Sequence, residues 1–152
     1  MKLTKTLPLA AALCALLAPS AQAAAPGVNI GGAPTADHVQ EAINTGAKTV
    51  RIFAGSVAKG DTEDRARARC VGAIQEACDH AGQYGIYLAL ENHGGPTADA
   101  EGLLKFVRDV QSPWFGVNMD TGNFHSDDIY GELERIAPYA LNVQVKVVVS
   151  GP

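Results

Sequence analysis

Ile86-Tyr-Leu-Ala-Leu-Glu-Asn-His-Gly-Gly95 decides the fold. Its first five residues are apolar or aromatic and short in run, as a buried strand is. Glu91, Asn92 and His93 then turn the chain polar, and two glycines punctuate the turn that follows. Upstream, Asp61 or Thr62 caps a long helix with Ala66, Cys70, Ala73, Ile74, Ala77, Cys78 and Ala81 at helical spacing, closed by Gly85. Before it, Thr49–Ala54 reads as a strand ended by Gly55. Thr35 caps a helix through Val39, Ala42 and Ile43, closed by Gly46, and Val28-Asn-Ile30 is a strand stub. Downstream, Thr97 caps a helix with Leu103, Leu104, Val107 and Val110 on one face, and Phe115–Met119 is a strand. Ser126, with Asp127 and Asp128 in the first turn, opens a helix carrying Ile129, Leu133 and Ile136, and Leu141–Val149 is the last strand.

The order is therefore (β)αβαβαβαβ, which means a parallel sheet with right-handed crossovers. Two α/β architectures fit: an open doubly wound sheet, or part of an eight-fold barrel. Central strands of an open sheet are apolar on both faces. Here one parity turns polar near the strand ends: Glu91 with His93, Asn118 with Asp120, and Asn142 with Gln144 and Lys146. Side chains two apart point to one side of a sheet. Adjacent strands thus aim carboxylates, an imidazole, amides and an amine into one space at the carboxyl ends of the strands, where barrel enzymes act. The pattern favours a partial (β/α)8 TIM barrel of about four to five parallel strands with alternating helices.

The chain has 152 residues, of which 47% are hydrophobic and 18% charged, so it is one folded domain and not a disordered tail. A net charge of −4 and 6% aromatics argue against binding nucleic acid through phosphate charge and base stacking. Lys2 and Lys5, the apolar run Leu7–Ala18 and the small-x-small triplet Ala21-Gln22-Ala23 read as a signal peptide over residues 1–23. That predicts an exported protein, periplasmic or secreted, with no membrane attachment after cleavage. The barrel domain then runs over residues 27–152. Cys70 and Cys78 stand eight residues apart on one predicted helix, about 12 Å along its axis, and cannot bridge each other. They read as small buried residues. His38 and His80 read as helix-surface residues.

Glu91 and Asp120 are two carboxylates facing one cavity from neighbouring strands. Unpaired, they repel, and one stays protonated. A divalent cation between them resolves the conflict, and oxygen ligands with an amide suit Mn²⁺, Mg²⁺ or a similar ion. Such an ion polarises a sugar carbonyl and its neighbouring hydroxyl. A carboxylate beside it can shuttle a proton between adjacent carbons.

Leu88-Ala-Leu-Glu-Asn-His-Gly-Gly95, Val117-Asn-Met-Asp-Thr-Gly-Asn-Phe124 and Val143-Gln-Val-Lys146 resemble the sugar phosphate isomerase/epimerase family, the xylose-isomerase-like TIM barrels. Arg51-Ile-Phe-Ala-Gly55 and Ala137-Pro-Tyr-Ala140 fit the same group. The resemblance covers about residues 35 to 149. It implies that Glu91 binds metal and moves the proton, and that Asp120 binds metal. It implies that Gln144, standing where many relatives carry a histidine, supplies a third ligand, and that Lys146 faces substrate. His93, Asn118 and His125 become polar groups near a sugar or sugar phosphate.

A full barrel takes roughly 250 residues. The sequence therefore reads as the middle of one, with activity in doubt and with open strand edges that two chains could pair to close a barrel. The competing reading is an exported carbohydrate-binding or interaction module without catalysis.

Overall fold

The computed structural model describes residues 28–29 and 36–147. The expected leader over residues 1–23, the cap at Thr35, Ile30 of the strand stub and Val148–Val149 of the last strand lie outside the described residues. The elements are β1 (Val28–Asn29), α1 (Ala36–Thr45), β2 (Thr49–Ile52), α2 (Glu63–Ala81), β3 (Tyr87–Glu91), α3 (Ala100–Asp109), β4 (Phe115–Asp120), α4 (Ile129–Ile136) and β5 (Ala140–Gln144).

All neighbouring strands are parallel, and the sheet order is β1-β2-β3-β4-β5. The order never reverses. A doubly wound sheet turns back at a switch point, whereas a barrel adds each strand beside the last. The winding is that of part of a TIM barrel, as the polar parity predicted.

Register sorts the side chains into two faces. Val50, Ile52, Leu88, Leu90 and Val117 point one way, and they are fully buried. The first four pack with Ile74, Cys78 and Phe106 of α2 and α3; Val117 joins Leu103, Phe124, Ile129 and Ile136. On the opposite face lie Arg51, Ala89 and Glu91, then Gly116, Asn118 and Asp120, then Asn142 and Gln144. A register shift at Val117/Asn118 pairs Val117 with Ala140 and Asn118 with Asn142, leaving Leu141 as the extra residue. Both polar residues of β5 keep the inner face because the irregularity lies before them.

Several boundaries move. Thr62 does cap α2, accepting from Arg65 N–H at 3.3 Å. The caps of α3 and α4 are Asp99 and Asp128, which accept from Gly102 N–H (2.7 Å) and Gly131 N–H (2.9 Å), not Thr97 and Ser126. Aspartate caps as well as serine or threonine, and the turn through Gly94 and Gly95 engages Thr97 elsewhere. Gly95 has φ +53°, and a Cβ there would lie 2.8 Å from Gly55 O, so only glycine lets the two strand-end loops meet. β2 stops at Ile52 rather than Ala54.

The last strand ends at Gln144, not Val149. Its partner β4 ends at Asp120, and Lys146 N–H turns to Thr121 Oγ1 at 2.9 Å. Val145 and Val147 are accordingly exposed. The apolar edge is shorter than the residue run alone implies.

Cys70 and Cys78 are free and buried. Burial pushes the Cys78 thiol from 9.0 up to about 11 and also raises Cys70. The unfolded thiol ionises at its ordinary value, while the folded one holds its proton. Its contribution to stability is full below pH 9 and is lost as pH rises towards 11. We expect the urea midpoint to fall across that window, and to fall less in Cys78→Ala. Equal slopes in the two proteins would refute the assignment.

Candidate active site

Glu91 ends β3 with its side chain 1% exposed and four polar neighbours around its carboxylate. Oε2 accepts from Arg51 Nη1 (2.7 Å) and Asn118 Nδ2 (2.9 Å). Oε1 accepts from Asn123 Nδ2 at 3.0 Å and lies 2.9 Å from His93 Nδ1. Gln144 Oε1 accepts from the same Arg51 nitrogen at 3.0 Å. Asn118 Oδ1 accepts from Asn142 Nδ2 at 2.6 Å. Arg51 lies over Phe53, 4.9 Å from its centroid, and Phe53 meets the His93 ring edgewise at 4.8 Å.

Asp120 ends β4, fully buried. Oδ1 accepts from Gly122 N–H at 2.9 Å. Oδ2 lies 3.1 Å from Lys146 Nζ but takes no hydrogen bond of acceptable geometry. We read the contact as an ion pair that leaves one buried lone-pair direction unfilled. Lys146 Nζ instead donates to Asn123 Oδ1 at 2.6 Å. Asn123 therefore joins the Glu91 cluster to the Asp120 pair. Asn92, also buried, clasps the Asp120 backbone, donating to its carbonyl (2.9 Å) and accepting from its N–H (2.8 Å).

The structure gathers Glu91, His93, Asn118 and Gln144 into one network and sets Asp120 and Lys146 beside it. His125 stands apart on an exposed loop. The electrostatic expectation changes: each carboxylate has a cation supplied by the chain itself, Arg51 for Glu91 and Lys146 for Asp120. Repulsion between two bare carboxylates is not the governing term. Sequence reading missed Arg51, Asn123, Asn92 and Thr97 as site residues. For Arg51 a signal existed, since a charged residue inside an otherwise apolar strand needs a partner.

Thr97 holds the loop after β3. Its buried hydroxyl accepts from His93 N–H (3.2 Å) and has two carbonyls within donor reach, Glu91 O (3.0 Å) and Gly94 O (3.1 Å). Valine keeps the shape and removes these bonds. We expect Thr97→Val to cost about 1–3 kcal/mol of stability, read from urea unfolding. A cost near zero would mean that the loop is not held this way.

A cleft of about 450 Å³ opens beside the cluster, lined by His93, Asn123, His125, Ser126, Asp99 and Glu132 among others. The Ser126 hydroxyl is buried without a partner.

Among the described residues, no three His, Cys, Asp or Glu side chains group closely enough to hold a metal ion. The donors present are two carboxylates and the Gln144 amide, all oxygen, which suits a hard cation. Asp120 Oδ2, which takes no well-formed hydrogen bond, is a position such an ion would take in competition with the Lys146 ammonium 3.1 Å away.

A search of curated proteins gives no match. Solved structures do match. A D-tagatose 3-epimerase-like protein is 20% identical with TM-score 0.61, over 72% of this chain and 44% of that one. A D-allulose 3-epimerase from Methylomonas sp., solved with D-allulose, is 17% identical with TM-score 0.58, over 71% and 41%. A xylose isomerase-like TIM barrel protein from Mycobacterium smegmatis, solved with magnesium, is 23% identical with TM-score 0.53, over 67% and 40%. At these identities the likeness is one of fold. The chain spans less than half the length of these structures. Residues 35–149 match the family described as the xylose isomerase-like TIM barrel, and the chain belongs to that family.

Proposed function

We propose that this chain carries part of the site of a metal-assisted sugar isomerase or epimerase, one that moves a proton on a carbon next to a carbonyl. One observation carries the reading: Glu91 and Asp120 end adjacent barrel strands, buried, and Asp120 Oδ2 takes no well-formed hydrogen bond. Three structural neighbours support it: a D-tagatose 3-epimerase-like protein, a D-allulose 3-epimerase and a barrel protein solved with magnesium. Glu91, Asp120 and Gln144 would hold a divalent ion, Mn²⁺ or Mg²⁺. Bound there, the ion polarises a carbonyl and its neighbouring hydroxyl.

The chain's own groups do the rest. Lys146, 41% exposed, presents its ammonium to a substrate oxygen. Glu91 takes the proton once one of its four polar neighbours swings aside. His93, with a side chain 57% exposed, has most room to move. Asn118 and Asn123 hold the carboxylate in place meanwhile. His125 and His93 both line the cleft. Lys2, Lys5 and the apolar run after them support an exported protein.

A second reading is favoured by a specific observation. Arg51 and Lys146 already neutralise both carboxylates, as suits a carbohydrate-binding module with no metal and no catalysis. Proton NMR of a ketohexose in D₂O with Mn²⁺ separates the two. An isomerase or epimerase exchanges the hydrogen next to the carbonyl for deuterium, and Asp120→Asn stops the exchange. Binding without exchange, unchanged by that substitution, gives the module. Neither binding nor exchange overturns both readings.

A further inference from the structure

We propose that the cleft beside Glu91 receives an uncharged, hydroxyl-bearing segment of the substrate and rejects a phosphorylated one. This rests on the sugar reading above and narrows it from sugars and sugar phosphates to free sugars at this position.

The cleft adjoins the Glu91 cluster through two shared residues. His93 and Asn123 line it, and both contact Glu91 Oε1. A sugar whose carbonyl end lies at Glu91 and Asp120 therefore projects further carbons into this space. Its volume, about 450 Å³, is within the range of small-ligand sites.

Three features decide what those carbons carry. The first is charge: none of the lining residues is lysine or arginine, while Asp99 and Glu132 both line the cleft. The second concerns the helix ends. Free N–H groups at a helix N-terminus are the usual backbone cradle for phosphate. Here carboxylates of this chain already occupy that cradle. At α3, Asp99 takes Gly102 N–H at 2.7 Å and Glu132 takes Ala100 N–H at 2.8 Å. At α4, Asp128 takes Gly131 N–H at 2.9 Å. A phosphate would have to displace these acids and remain beside their charge.

The third feature is Ser126. Its Oγ is buried, unpartnered and belongs to a residue of the lining. A hydroxyl both donates and accepts. A sugar hydroxyl does the same, and with the Asn123 amide and the exposed imidazoles it meets groups of either polarity. A dianion offers acceptors only, and Asp99 and Glu132 supply it no donor.

Calorimetry on the full chain with Mn²⁺, titrating D-fructose and D-fructose 6-phosphate separately, tests this. The free sugar is expected to bind at least tenfold more tightly. Ser126→Ala should weaken the free sugar about fivefold, in line with the loss of one hydrogen bond. Glu132→Gln keeps an oxygen for Ala100 N–H and removes a charge. It should strengthen the phosphate ester several-fold and so narrow the ratio between the two affinities. Equal or tighter binding of the phosphate ester by the wild-type protein overturns the proposal while leaving the sugar reading standing. If neither compound binds, the sugar reading itself falls, and this proposal with it.

Discussion

Glu91→Ala will cost the fold about 3 kcal/mol, and the double replacement Arg51→Met with Glu91→Met will return most of it. The expectation follows from where the charges lie. Glu91 is 1% exposed, and the Arg51 side chain 23% exposed, with 2.7 Å between nitrogen and oxygen. Removing the carboxylate leaves a guanidinium held in a strand face with, among the described residues, only Gln144 Oε1 to accept from it, at 3.0 Å. Asn118, itself buried, loses the closer acceptor of its amide and keeps only the long contact to Gln144 Oε1 at 3.5 Å. Breaking one side of a buried pair costs about 3–5 kcal/mol because the remaining charge is stranded. Arg51 keeps some contact with water, which places the value at the lower end. Replacing both partners with methionine removes the stranded charge, and apolar substitutes of similar volume are often neutral or better. Urea unfolding of the four proteins of the cycle gives the coupling directly. A cost below about 1 kcal/mol for Glu91→Ala would mean that the pair is solvated and weak, as surface pairs are. A double variant as unstable as the single would mean that the rest of the polar network, not the ion pair, holds the strand ends together.

The same network shows how much was legible in the residues alone. Parity placed Glu91, Asn118, Asp120, Asn142 and Gln144 on one face, because period-2 alternation is a property of the strand itself. The choice of barrel over open sheet came from that parity too. Lys146 was placed by the same count, but β5 ends two residues earlier. It reaches Asp120 because its backbone turns to Thr121, a loop contact that no periodicity encodes. In the sequence Thr97 and Ser126 look as good as caps as Asp99 and Asp128, because cap chemistry is shared by several residue types. Only the path of the Gly94–Gly95 turn tells that Thr97 staples a loop and Asp99 caps the helix. Arg51 and Asn123 escaped for a common reason. Each acts across about 30 to 90 residues of chain, on Glu91 and Gln144 for one and on Glu91 and His93 for the other. The sequence shows what each residue can bond to, and the fold chooses the partner.

Lys146→Met will tighten Mn²⁺ about tenfold, and Asp120→Asn will abolish its binding. The ammonium lies 3.1 Å from Asp120 Oδ2, among the described residues the one buried carboxylate oxygen without a well-formed hydrogen bond. On the proposed reading, a divalent ion and this lysine compete for the same oxygen. A pair this close is worth several kcal/mol at an intermediate effective dielectric, but Lys146 is 41% exposed and water screens much of that. Roughly 1.4 kcal/mol is a reasonable remainder, which is the factor of ten. The linkage runs in both directions. Without metal, Lys146→Met strands the buried Asp120 charge and should lower stability; with saturating Mn²⁺ the ion replaces the lost cation, and stability should recover beyond the wild-type gain. Calorimetry gives the affinities, and urea unfolding with and without Mn²⁺ gives the recovery. Weaker metal binding in Lys146→Met would make the lysine a support of the site and not a competitor. Equal affinity in both variants would remove Asp120 from the metal's coordination altogether, and leave its buried carboxylate as the structural partner of Lys146 alone.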